Sequence, residues 1–268
     1  MYNFYAEIDQ PDSQINLARA ALLIAQEEYP DLEVAAYLHA LEMMAIEARG
    51  LTIDEEYPLR IIQCLNEYFY DELGFVGNTN NYYDPRNSFL NQVIERKTGI
   101  PITLSLVYLE VCQRLDFPMV GINLPGHFLI RPEFEDTGIF VDPFNRGEIL
   151  FEQDCAERLT KLYGRPIPMQ PEFLQPVTKR QFLSRLLTNL KFIYLNQREL
   201  KKALTSVEYI LLLFPDAVSE RRDRGLLYFQ LGLGYKAVQD LEIYLAMRPH
   251  AEDANTILQL LEQLRRRA

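Results

Sequence analysis

The chain has 268 residues, 48% of them hydrophobic and 24% charged, with 15 Pro, 12 Gly, 3 Cys and no Trp. These fractions exclude a disordered tail, a collagen-like repeat and a disulfide-stapled mini-domain, and the length allows one large domain or two of ordinary size. With 27 basic against 38 acidic side chains the net charge is −11, which argues against nucleic acid or an anionic membrane as a partner.

The charge is uneven. Residues 178–268 hold 15 basic and 10 acidic side chains, a net +5, leaving 12 and 28, a net −16, for residues 1–177. A change of sign at that point suggests two modules. The start, Met1 to Asp9, has no basic segment followed by an apolar stretch, and the greasiest runs are too short to span a bilayer. A soluble cytoplasmic protein is expected. Cys64, Cys112 and Cys155 are an odd number without CxxC spacing, and His39, His127 and His250 add no cluster. No structural disulfide, metal or cofactor is therefore expected.

In chain order, Asp12-Ser13-Gln14 is a polar cap before Ile15, Leu17, Ala18, Ala21, Leu22 and Ala25, which have helical spacing. A second helix carries Val34, Tyr37, Leu38, Leu41, Met44 and Ala45 and stops at Arg49-Gly50. A third amphipathic stretch, Leu59 to Leu73, ends at Gly74, and a turn-rich loop runs from Phe75 to Asn87. Loops of that length inside a domain are more often functional or tightly packed than idle. Ser88–Arg96 and Thr103–Leu115 then read as helices.

After Pro118 the period changes to two. Met119–Ile122, His127–Arg131 and Gly138–Asp142 are short, apolar and β-branched, with a turn over Glu133–Gly138. Pairing Ile130 with Ile139 in a hairpin sets His127 opposite Asp142, with Cβ atoms about 5 Å apart. A slip of one residue would turn one of them to the other face.

The last third repeats itself. Tyr194, Ala203 and Pro215 recur 34 residues later as Tyr228, Ala237 and Pro249. That period and those residue types are the tetratricopeptide (TPR) signature, two antiparallel helices per repeat with a small Ala at their contact and a Pro stopping the second. Gly225 fits the pattern's glycine, whereas Lys191 stands there in the first repeat. Asp253 to Arg267 supplies a solvating last helix. The repeats place Arg185, Phe192, Arg222 and Phe229 on the inner faces.

At Asn81 to Ser88, Arg96 to Ser105, Gly126-His127-Phe128-Leu129 and Val141-Asp142-Pro143-Phe144, the chain resembles the SirB-type bacterial proteins, which join a transglutaminase-like domain to TPR repeats; a similar domain occurs in an F-box protein. The resemblance covers nearly the full length. It implies an α+β fold: a helical N-terminal region and a papain-like or transglutaminase-like core with a small antiparallel sheet over residues 1–170, then an all-α TPR module over 178–268. It also implies a nucleophile at the N-terminus of the Thr103–Leu115 helix, with His127 as base and Asp142 as its orienter.

The nucleophile is missing. Between the flanking Gly99 and Ser105, where that family places a cysteine, this sequence has Pro101. Cys112 lies nine residues beyond Thr103 on the same helix, roughly 13 Å along its axis, outside the N-terminal field. Thr103 and Ser88 start helices, where a hydroxyl is more often a cap than a nucleophile. Asn87 and Ser88 either line a cleft with His127, Asp142 and Thr103 or satisfy backbone groups in the loop. Two functions follow, beside a pure scaffold with both sites buried and only the outer TPR face exposed. One is a non-catalytic or catalytically divergent protein, a pseudoenzyme, that binds a polypeptide in the His/Asp cleft and a protein or peptide partner on the TPR surface. The other is an amide-bond hydrolase or acyl transferase using His127 and Asp142 with an unconventional nucleophile or an activated water. Arg185 and Arg222 suit an acidic or C-terminal carboxylate ligand, unless the protein's own first domain fills that groove.

Overall fold

Side chains that satisfy bare backbone N–H groups set where several of the helices begin. The computed structural model describes residues 3–134 and 138–267, so the turn expected over Glu133–Gly138 lies partly outside the described residues. It divides into two compact units, 1–182 and 183–268.

In the first unit, α1 (Phe4–Ile8) is capped by Asn3 and α2 (Leu17–Ala25) by Asn16, whose side-chain oxygen accepts from the Arg19 backbone N–H at 2.8 Å. Asp12, expected to cap that helix, instead accepts from the backbone N–H groups of Lys179 and Arg180 at 3.0 and 2.9 Å, at the start of α8 (Lys179–Asn196). Its carboxylate thus satisfies donors 167 and 168 residues away, a pairing that local spacing does not encode. Helices α3 (Val34–Thr52) and α4 (Pro58–Asn66) follow. The stretch expected to be helical as far as Leu73 changes at Glu67 to a π-helical turn over Glu67–Glu72. That turn buries Tyr68, Phe69 and Tyr70, and Phe69 stacks on Tyr108 with ring centroids 4.7 Å apart.

A two-residue parallel pair, β1 (Val76–Gly77) with β2 (Thr98–Gly99), brackets the loop and α5 (Leu90–Arg96). Helix α6 (Pro101–Arg114) starts two residues before the expected position. Pro at the first helical residue forfeits only an N–H that has no helical partner, and its fixed φ suits the helix. The sheet is an antiparallel meander of β3 (Met119–Ile122), β4 (Leu129–Pro132), β5 (Phe140–Asp142) and β6 (Glu148–Leu150).

Ile130 pairs with Val141, not Ile139, and Asp142 pairs with Glu148 on the far side. The register therefore differs from the expected one by two residues. A shift of two preserves the face on which each side chain lies. Phe140 and Leu150 face α7 (Glu152–Tyr163) and form a buried cluster with Ile122, Leu124, Leu129, Cys155 and Leu159. His127 and Asp142 share that face, at the end of the cluster.

The second unit holds most of α8, then α9 (Leu200–Leu213), α10 (Val218–Gln230), α11 (Gly234–Met247) and α12 (Ala254–Arg267). Ala203 and Ala237 are fully buried at the helix contacts, as the repeat demands. At Gly225 a Cβ would sit 2.8 Å from the Leu241 side chain, so the glycine permits that approach. The equivalent Lys191 is 3% exposed, and its ammonium donates to Glu220 at 2.7 and 2.8 Å and to Asp223 at 3.0 Å. Removing one partner of a buried ion cluster strands the others. Lys191→Ala is expected to cost the chain about 3 kcal/mol in urea unfolding, whereas a truncation at the exposed Lys201 should cost under about 0.5 kcal/mol.

Candidate functional site

Asp142 is the last residue of β5, fully buried, and caps the turn that follows. Its Oδ1 accepts from the backbone N–H groups of Phe144 at 3.1 Å and Asn145 at 3.3 Å. Its Oδ2 accepts from the Asn145 side-chain amide at 2.8 Å, lies 2.8 Å from His127 Nε2 and is ion-paired with Arg158 of α7. Arg158 Nη2 also reaches Glu148 at 2.5 Å. Burial alone would raise the Asp142 carboxyl, but the bond and charge of His127, the Asn145 amide and the Arg158 guanidinium outweigh it and hold the group below its ordinary value.

The turn is itself anchored. Gly147 has φ +70°, and its carbonyl accepts from the Asn66 amide at 2.8 Å; a Cβ there would collide with Asn66. Tyr70 donates to the Pro143 carbonyl at 3.0 Å, and its hydroxyl is raised by burial and by the nearby Asp142 charge.

His127 is partly exposed, with 19% of its side chain accessible. The carboxylate can only accept, so Nε2 is the donor to it, and Nδ1 has no hydrogen-bond partner among the described residues. The imidazole edge meets Phe144 at 6.1 Å between centroids, Phe144 meets Tyr82 at 6.0 Å, and Tyr82 meets the exposed Tyr83 at 5.3 Å. A row of rings thus runs from solvent to the histidine.

Two other residues singled out in the sequence, Thr103 and Asn87, bond to backbone of the loop and of the start of α6. Thr103, the third residue of α6, is fully buried; its hydroxyl donates to the Asn87 carbonyl at 2.7 Å and accepts from the Ile100 backbone N–H at 3.1 Å. Asn87, also buried, donates to the carbonyls of Asn81 at 2.8 Å and Tyr82 at 3.2 Å and accepts from Asn78 at 3.1 Å. These bonds fold the loop onto α6. Ser88 is buried with its hydroxyl unpartnered. Pro101 is buried at the position expected to hold a nucleophile.

Burial pushes the Cys112 thiol far up and Cys155 up to about 11, and the half-buried Cys64 is raised for the same reason. No group of three or more His, Cys, Asp or Glu among the described residues is arranged to hold a metal ion.

On the repeat module, Arg185 contacts Asn189, and Phe192 is 54% exposed beneath the Lys191 ammonium. Arg222 pairs with Asp223 at 2.9 Å and Asp253 at 3.0 Å, and Phe229 packs on the cluster of Tyr228, Ala237 and Leu264. A pocket of about 600 Å³ is lined by Arg222, Tyr244, Met247, Arg248 and His250 among others. Arg158 and Glu148 were not evident from the sequence. The usable signal was an arginine three residues after Cys155 and beside Leu159, on the edge of an apolar helix face.

Because the folded Asp142 carboxyl lies below the unfolded value, its stabilisation is present above about pH 4 and is lost as pH falls through the lower folded value. Asp142→Asn is expected to lower stability by about 2 kcal/mol at pH 7, with the difference from wild type shrinking below about pH 4 in urea titrations.

A family model described as the transglutaminase-like superfamily matches residues 35–188, and a tetratricopeptide-repeat model matches residues 190–262. A UPF0162 protein of Xylella fastidiosa (strain 9a5c) is 37% identical over 262 residues, which span 96% of this chain and 92% of its own. A UPF0162 protein of Vibrio cholerae serotype O1 is 31% identical over 226 residues, 84% of this chain and 81% of that one. Human F-box only protein 21 is 30% identical over 202 residues, 69% of this chain but 30% of the longer human protein. No solved structure matches.

Proposed function

The chain belongs to the UPF0162 family, within the transglutaminase-like superfamily, and from that premise we propose that it is a SirB-type protein whose His127/Asp142 site binds a polypeptide segment without acyl transfer. Residues 1–170 form the module that carries this site, and 178–268 the TPR module that recruits a partner. The observation that carries the reading is the buried Pro101 at the start of α6, together with an imidazole whose free nitrogen meets neither thiol nor hydroxyl. A base with no nucleophile has nothing to activate for covalent transfer. The same nitrogen is a good acceptor for a peptide N–H, and the rings of Phe144, Tyr82 and Tyr83 offer flat apolar area beside it.

On the repeats, Arg222 is already held by Asp223 and Asp253, and Arg248 is the cation of the pocket that suits a carboxylate-bearing segment with an apolar neighbour against Met247. TPR repeats usually mediate protein interactions, which supports a protein or peptide partner. Among the described residues no helix is long and apolar enough to cross a membrane.

A second reading, amide hydrolysis by water activated at His127, is favoured by the intact His–Asp pair. Incubation with casein and dansylcadaverine is expected to give no labelling above buffer, and peptides selected on the full chain from a random library should bind roughly tenfold more weakly to Phe144→Ala or Arg248→Glu. Cleavage or labelling that disappears in His127→Ala would decide for the enzyme.

A further inference from the structure

Helix α7 reaches the His127/Asp142 site at two points. Arg158 and Leu162 stand four residues apart, so they lie on one helix face a single turn apart. Arg158 is ion-paired with Asp142. Leu162 lies on the backbone of Gly126, the residue before His127, so closely that a Cβ there would collide with its side chain. Glycine is required at 126 for a second reason. Pro125 and Gly126 are the central residues of a type II turn, in which the His127 backbone N–H donates to the Leu124 carbonyl at 2.9 Å and Gly126 has φ +76°. The turn thus leaves a bare, exposed stretch of backbone next to the imidazole.

We propose, on the reading that this site binds a polypeptide segment, that Leu162 determines which segment: it takes an apolar side chain neighbouring the peptide N–H that donates to His127 Nδ1. An exposed leucine alone is ordinary on a protein surface; the place of this one is not. Cys155, Leu159 and Leu162 follow one another at steps of four and three residues along one face of α7. The first two are buried in the cluster under the sheet. Leu162, 57% exposed, carries the same face past that cluster to the turn that presents His127.

The chemistry of the occupant follows from what the site leaves open. Nδ1 has no hydrogen-bond partner among the described residues and can accept a backbone N–H. A segment that crosses Gly126 meets no side chain there, so its backbone can approach the turn while its side chains reach Leu162 of α7 and Phe144 of the turn after β5. Arg158 is held by Asp142 and Glu148, so it offers no cation to an acidic side chain. A charged side chain laid on Leu162 would lose water and gain no partner. Leucine, isoleucine, methionine or phenylalanine loses nothing of that kind and buries apolar area.

The test pans one random peptide library, displayed on phage, on the full wild-type chain and on full-length Leu162→Glu. Wild type is expected to enrich peptides with an apolar residue at one fixed position, and Leu162→Glu to enrich Lys or Arg at that position. The thermal melt should be unchanged, because Leu162 is mostly exposed. Leu162→Gln, which adds no charge, should lose the apolar preference without gaining a basic one. Synthetic copies of the wild-type peptides should bind Leu162→Glu roughly tenfold more weakly. Peptides that Phe144→Ala weakens, but whose consensus is the same on wild type and Leu162→Glu, overturn the role of Leu162 and leave the reading of the site standing. Peptides indifferent to Phe144→Ala, or no enrichment on wild type, overturn that reading and this inference with it.

Discussion

One buried carboxylate organises the sheet end of the first unit. Asp142 has no access to water, so its charge survives only because two backbone N–H groups, the Asn145 amide, His127 and Arg158 converge on its two oxygens. The donors come from three structural demands: the turn after β5, the approach to β4, and helix α7. The carboxylate is therefore the point at which sheet, turn and helix must agree. A His–Asp pair set in such a network orients the imidazole whether or not any reaction follows, so the pair by itself does not mark an enzyme.

What distinguishes the two readings is the use made of the start of α6. A helix N-terminus with a thiol in its first turn is a device for making thiolate. Here Pro101 fills that turn, and the one hydroxyl in it, on Thr103, is consumed by the Asn87 carbonyl and the Ile100 N–H. A Cβ at Gly99 would lie 2.8 Å from the Thr103 hydroxyl, so the strand end and the helix are closed on each other. These Thr103 bonds tie the start of α6 to the loop. Asn87 extends the same closure to the Asn81–Tyr82 loop, which carries the ring row leading to His127.

The sequence showed those parts of the fold and site that local periodicity encodes. Most of the helices, three of the four strands of the meander and the 34-residue repeat follow from spacing alone. His127 and Asp142 were legible because strand parity survives a two-residue error in register. Other features depend on distant partners. Asp12 reads locally as a cap for the helix beside it but serves backbone 167 residues on. The Glu67–Glu72 turn is widened where three consecutive aromatics enter the core. Arg158 and Glu148 look like surface residues until α7 is laid on the sheet. The two-residue strands β1 and β2 carry no period at all.

The repeat module makes the same point energetically. Its two helix pairs resolve their close contacts in opposite ways, with Gly225 admitting Leu241 and Lys191 admitting a buried cation. A desolvated ammonium is unfavourable unless compensated, and Glu220 and Asp223 compensate it from α10. Asp223 is shared with Arg222, Arg222 with Asp253 at the start of α12, and Asp253 with the Tyr244 hydroxyl of α11. The residue that breaks the glycine pattern thus begins a chain of charge that links α8, α10, α11 and the last helix. Arrays of this kind gain stability from contacts between neighbouring repeats, and two repeats offer few of them. A charge network running through the available interfaces adds contacts between helices that a longer array obtains from repetition.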